Sequence, residues 1–282
     1  MHADLVLDAR ASLGEAALWH QDRLLWVDID GGAVHRFDPA TGRNEAWQLG
    51  QPVGTVVPRA CGGWVVGAHL GVGVFSPDTG QLKILADPAG GHAEMRCNDG
   101  KCDPRGRLFV GTIGMNKPRP PGALYRVDPD WSVREVVSGT GTANGLAWSA
   151  DRSTLYFIDT PTREVSAFDY DEATGAIRDR RPVVRFGDEE MGRPDGMTID
   201  AQGNLWVALY DGGAVVCCDP RTGTILERVS VPARRTTSCA FGGPDLRTLF
   251  ITTGRSAAEP ESGGLFAIAP GVAGVAAFSF AG

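Results

Sequence analysis

Carboxylates and carboxamides recur along this chain in a pattern that suits oxygen coordination or acid–base work. Asn98-Asp99-Gly100, Asn144-Gly145 and Asp195-Gly196 each set a short polar side chain before a glycine, and Glu15 follows Gly14. Taken singly, Asp or Asn before Gly serves a turn, because these side chains bond back to nearby backbone. Glu15 is no turn former, so the turn explanation leaves it out. Two carboxylates and two amides in one place would repel or go unsatisfied, and a divalent cation is the simplest partner. An all-oxygen site suits Ca2+, Mg2+ or Mn2+ and tolerates Zn2+ or Fe2+. His2, His20, His35, His69 and His92 share no ligand spacing, and no Gly-x-Ser-x-Gly elbow occurs.

These residues matter together only if the fold gathers them. A unit of apolar strand, Gly/Asp turn, aromatic-rich strand and third strand ending near Asp-Pro recurs most clearly at 18–39, 102–129, 146–169 and 199–220. Weaker copies fall at 56–77 and 239–270. Alternation of apolar and polar residues marks these segments as strands with a buried face. Turns such as Asp38-Pro39-Ala40-Thr41-Gly42 and Asp219-Pro220-Arg221-Thr222-Gly223 read as hairpins into a fourth strand. The expectation is an all-β chain, one domain over residues 1–282, folded as a six-bladed β-propeller with four antiparallel strands per blade.

Counting back five residues from the turn before each second strand gives positions 15, 55, 98, 144, 195 and 238, at intervals of 40, 43, 46, 51 and 43. Equivalent positions on six radial inner strands converge on the axis at one face. Glu15, Asn98, Asn144 and Asp195 are therefore expected side by side, with Thr55 and Ser238 completing the ring. Long links at 87–97, 113–122, 187–194 and 254–264 fall at that same end and are expected to wall a site. In the last blade, 265–268 and 272–280 are expected as its outer part, with residues 5–8 joining that sheet. Most tryptophans should pack between blades, leaving Trp47 and Trp131 for solvent.

Composition narrows the partners. There are 27 basic and 34 acidic residues, a formal charge of −7, which disfavours nucleic acid and anionic membrane surfaces. A neutral, polyhydroxylated substrate fits an acidic protein better than a phosphate ester. No apolar run spans a bilayer and no secretory leader is expected, so a cytoplasmic protein with six reduced cysteines is the reading. A propeller needs no partner to cover its edges, so a monomer is expected. Glycine, at 38 residues, is near twice its usual share of about 7%, as a turn-rich fold requires.

Gly14-Glu15, Arg96-Cys97-Asn98-Asp99-Gly100-Lys101-Cys102-Asp103, Asn144-Gly145 and Arg193-Pro194-Asp195-Gly196, in this order, resemble the SMP-30/gluconolactonase group, which includes regucalcin and bacterial sugar lactonases. The resemblance implies one divalent metal in the axial channel, with Glu15, Asn144 and Asp195 as its ligands. It also implies that Arg96 and Asn98 hold substrate, with Asp99 nearby. Two departures stand out. Ala16-Ala17 replaces the group's usual Gly-Pro, and the acidic residue of regucalcin-like members in the loop matching 113–122 is absent. Hydrolysis of a sugar-acid lactone, with Asp195 as general base, is the leading expectation. Phosphotriester or aryl-ester cleavage at the same site, calcium binding without turnover, and a pure interaction scaffold remain as alternatives.

Overall fold

The computed structural model describes residues 1–187 and 191–282. The acidic run Asp188-Glu189-Glu190 in the 187–194 link lies outside the described residues. Among those described, the strands form six antiparallel four-stranded sheets with no α-helix, the expected propeller. Blades 1 to 5 cover residues 14–48, 53–86, 95–140, 143–185 and 193–230, and blade 6 covers 236–268. The inner strands are Gly14–His20, Val53–Pro58, Met95–Cys102, Ala143–Trp148, Arg193–Ile199 and Thr236–Gly242. Each packs on the next and the sixth on the first, which closes the ring. No helix among the described residues is long and apolar enough to cross a membrane.

A blade meets a neighbour on both faces, so its second strand must be apolar on both. Trp64–Ala68 and Leu108–Gly114 are buried at every residue, whereas the outermost Arg43–Gln48 is largely open to water. Aromatic rings join the sheets: Trp206 meets Phe241 edge-on at 5.6 Å, and Trp19 stacks on Phe250 at 5.4 Å. Trp47 and Trp131 are not free in solvent. Trp47 lies edge-on to Trp64 at 5.2 Å, and Trp131 tilts over Phe280 at 4.8 Å. All six cysteines are free thiols, and only Cys61 is exposed.

Every inner strand carries a register break near its start. The breaks fall between Glu15 and Leu18, Val53 and Thr55, Cys97 and Gly100, Ala143 and Leu146, Pro194 and Met197, and Thr236 and Ser238. A bulge adds a residue on one strand and re-aims the side chains beside it. Six bulges at one level thus turn the polar positions of the sequence repeat towards the axis.

Closure follows expectation at the N-terminus and departs from it at the C-terminus. The N-terminal strand Asp4–Leu7 is the outermost of blade 6, pairing with Leu265–Ile268 through Asp4 opposite Ala267 and Leu5 opposite Phe266. Residues 272–280 form no strand of that sheet. They run as a strap beneath the ring, bridging Gly274 to Asp200 and Phe280 to Arg59. Val275, Ala276, Ala277 and Phe278 cap a cavity of about 70 Å³ at the far ends of the inner strands. Alternating small and apolar residues look alike in a strand and in an extended strap, although this strap buries only Gly274 and Phe280. The pattern therefore could not separate them.

Phe280 is fully buried at the end of this strap. Phe280→Ala should cost about 3–5 kcal/mol, as large-to-small core changes do; a denaturant midpoint within error of the parent would refute that anchoring role. Deleting residues 1–9 uncovers the Leu265–Ile268 edge, so the truncated chain should melt lower and self-associate, read by calorimetry and light scattering.

Candidate functional site

Glu15, Arg96, Asn98, Asn144 and Asp195 line one pocket of about 320 Å³ at the end where the inner strands begin. Residues 180 positions apart are neighbours there because the bulges share a level. Glycine makes the approach possible. A Cβ on Gly145 would stand 2.7 Å from the Asp195 carbonyl oxygen, and one on Gly196 would stand 2.8 Å from the Ser238 Cα.

The amides form a fixed chain. Asn98 Nδ2 donates to Ala143 O at 2.9 Å and to Asn144 Oδ1 at 2.7 Å, while Asn98 Oδ1 accepts from Arg96 Nη1 at 2.8 Å. Asn144 Nδ2 donates to Thr160 Oγ1 at 2.8 Å, and that hydroxyl donates to Pro194 O at 2.8 Å. Both amide nitrogens are thus committed to protein acceptors, which holds Asn144 Oδ1 in place at the pocket wall.

The carboxylates lack such support. Glu15 is buried and accepts from the Ala16 amide at 2.8 Å, a contact available because Ala16 takes a left-handed backbone at φ 51°. Burial, then the charge of Asp99, pushes the Glu15 carboxyl up to about 8. Asp195 is raised well above the usual carboxylate range by burial and by the charges of Glu15 and Asp99, against an opposing pull from Arg193 and a hydrogen bond from Asn144. Asp99 is raised too, mainly by burial, and Lys101 opposes this.

Asp99 is placed differently from Asn98. It is only 3% exposed and does not line the pocket wall. Its Oδ1 accepts from the Gly100 amide at 2.8 Å, and its Oδ2 is buried with no partner. It feels the opposite charge of Lys101, which lines the cavity at the far end and donates to Met197 O. The register count selects Asn98 and not its neighbour; it is the resemblance that implies Asp99 near the substrate. Thr55 and Ser238 complete the ring but are fully buried, Thr55 Oγ1 being spent on Gly100 O at 2.8 Å.

Sequence reasoning passed over several wall residues. Thr160, Arg193, Tyr210, Lys117 and Arg119 all line the pocket. Arg193 was readable, two positions before Asp195 on a strand, and Lys117 and Arg119 lie in a link already marked as long. Thr160 carries no motif. Of the four long links, 113–122 and 187–194 supply wall residues, while 87–97 (apart from Arg96) and 254–264 supply none.

Glu15 and Asp195 on the pocket and Asp99 off it are all buried and their charges oppose one another, and one Asp99 oxygen has no partner. Taking charge out of water without a counter-charge is costly, and the raised proton affinities express that cost. Among the described residues no three His, Cys, Asp or Glu form a ready-made metal cage. The convergent donor set here is two carboxylates and an amide oxygen, hard ligands of the kind that alkaline-earth and Mn2+ ions take.

A family model described as the SMP-30/gluconolactonase/LRE-like region matches residues 13–255, which contain every residue of this site. The chain belongs to that family. Within it, human regucalcin is 38% identical over 294 residues, covering 99% of this chain and 98% of its own. A Bacillus subtilis (strain 168) protein provisionally named sugar lactone lactonase YvrE is 38% identical over 291 residues, covering 100% and 99%. Among solved structures, the calcium-binding protein regucalcin from Agrobacterium tumefaciens superposes with a TM-score of 0.92 at 25% identity, covering 99% and 97%. A gluconolactonase from Xanthomonas campestris gives 0.77 at 26% identity, covering 93% and 87%. Family membership thus makes this a lactonase-like propeller, and the polar pocket is where its chemistry must be sought.

The raised carboxyls make a prediction for protein kept in chelator. Between pH 4.5, the ordinary Glu value, and about 8, folded Glu15 keeps a proton that the unfolded chain has released. Stability therefore falls as pH rises through that window, by an amount on the order of a few kcal/mol. Urea titrations at intervals from pH 5 to 8 should show the decline, and Glu15→Gln should flatten it. A stability that rises over this range would contradict the assignment.

Proposed function

We propose that the protein is a divalent-metal-dependent lactonase that opens a sugar-acid lactone to its aldonic acid. The observation that carries this reading is the meeting of Glu15, Asn144 and Asp195 on one pocket, where burial and mutual repulsion of the carboxyls outweigh the pull of Arg96, Lys101 and Arg193. Those three residues would hold the cation, which when bound supplies Lewis acidity towards a carbonyl oxygen.

The chain's own groups supply the rest. Asp195 takes the proton of the attacking water while the new carbon–oxygen bond forms at the lactone carbonyl. The ring carbon–oxygen bond then breaks, and Asp195 hands the proton to the departing oxygen, giving a hydroxyl and an acid. Asp99 acts through Asp195, since its charge raises the proton affinity that a base requires. Arg96, held to Asn98 Oδ1 at 2.8 Å, presents its remaining guanidinium donors to the sugar hydroxyls, and Asn98 keeps it in place. Leu13, Ile29 and Ile113 give the pocket an apolar side against which a ring can lie. A second reading, cation binding without turnover, draws on the same three donors and on the calcium-binding description of the Agrobacterium regucalcin.

One assay separates these readings. Chelator-stripped protein is offered a panel of γ- and δ-aldonolactones, with Ca2+, Mg2+, Mn2+, Zn2+ or Fe2+ added back singly. Turnover should vanish on stripping and return with at least one ion. Asp195→Asn should lower kcat by about 100- to 10,000-fold, the range for losing a positioned base. Tight ion binding with no turnover of any lactone would favour the second reading instead.

A further inference from the structure

The floor of the pocket is acidic, but its rim is not. Arg96, Lys117, Arg119 and Arg193 all line the same 320 Å³ pocket. Two of these cations are compensated locally. Arg193 is ion-paired with Asp211. Arg96 donates to Cys97 O and Asn98 Oδ1 and feels the opposite charge of Asp30. Lys117 and Arg119 have neither hydrogen bond nor ion pair among the described residues. Both belong to the link between the second and third strands of blade 3, which brings them over the pocket mouth.

Arg119 is close enough to Arg96 for their like charges to oppose one another. Arg96 has Asp30 and Glu15 to offset it and Arg119 has no partner among the described residues, so a carboxylate or phosphate that both guanidiniums bond through their planar forks relieves their mutual repulsion. Solvated surface charge explains an exposed Lys or Arg in general. It does not explain two uncompensated cations at the mouth of one pocket in a chain with a formal charge of −7. Below them, Lys101 faces Asp99, and the proposed cation offsets Glu15 and Asp195. Among the described residues the excess charge at the rim is therefore positive.

We propose that the pocket selects lactones bearing a second anionic group, a carboxylate or a phosphate monoester at the end of the sugar remote from the lactone carbonyl. Lys117 and Arg119 receive that group, with Arg96 opposite. This revises the neutral substrate that net charge favoured, because the net charge of a chain does not describe one of its pockets. The proposal rests on the lactonase reading for the orientation of the substrate, carbonyl to the floor and anion to the rim.

The test compares kcat/KM of the metal-loaded protein for three matched substrates: a neutral hexonolactone, the lactone of the corresponding aldaric acid, and the 6-phosphorylated hexonolactone. Calorimetry of the three ring-opened acids provides a reading that needs no turnover. At least one anionic lactone should be preferred by about tenfold or more over the neutral one, a ratio equivalent to about 1.4 kcal/mol. Its identity distinguishes carboxylate from phosphate. The preference should shrink as salt is raised, collapse in the Lys117→Met/Arg119→Gln double variant, and return in Lys117→Arg/Arg119→Lys. Equal turnover of neutral and anionic lactones, or a preference that survives the double variant, would overturn the proposal while leaving the lactonase reading intact. A double variant that loses neutral and anionic substrates alike would overturn it too, since that marks loop placement and not charge. If no lactone is turned over with any ion, the lactonase reading fails. Selective binding of the anionic acids, lost in the double variant, would still uphold the rim as an anion receptor.

Discussion

Six strand ends converge on one axis, and the crowding there governs the rest of the molecule. Neighbouring backbones come so close that Gly145 and Gly196 leave no room for a methyl group. Each inner strand yields by bulging at the same level, and the bulge swings polar side chains inward. The apolar blades behind them bury Trp26, Trp206 and Phe109 and leave the axis little freedom to relax. The cluster of Glu15, Asp99 and Asp195 is held in place by this packing, against its own repulsion.

That repulsion is what gives the site its chemical character. A carboxyl with a raised proton affinity is a poor surface residue and a useful base, and strained pairs of this kind are common where proteins bind cations or move protons. The amide chain from Arg96 through Asn98 and Asn144 to Thr160 does the opposite work, since both amide nitrogens along it are spent on neighbours. One half of the pocket is electrostatically unsatisfied and the other half is rigid.

Much of this was readable before any coordinates. The repeat spacing located six inner strands, and the polar identity of four equivalent positions located the pocket floor. The resemblance carried by Arg96 to Asp103 and by Arg193 to Gly196 agrees with the family now identified. What escaped has physical causes. Asp99, which the resemblance sets near the substrate, is buried off the pocket wall, a placement that spacing does not report. The strap at 272–280 alternates like a strand without pairing as one. Lys117 and Arg119 owe their place to the path of an irregular link, which no periodicity reports. Thr160 follows the second strand of its blade in a short 3-10 turn and gave no signal.

The strap also decides traffic. The pocket and the cavity lined by residues 275–278 at the far ends of the inner strands share no lining residue, so the axis is a blind alley and not a tunnel. Whatever enters past Lys117 and Arg119 must leave past them, so arrival of one molecule and departure of the last cannot overlap. On the proposed lactonase reading, ring opening adds a carboxylate, so what leaves would be more negative than what came in. It would climb out past the cations proposed to admit it. Exit would then be the slow event, the charge that speeds capture also lengthening each visit.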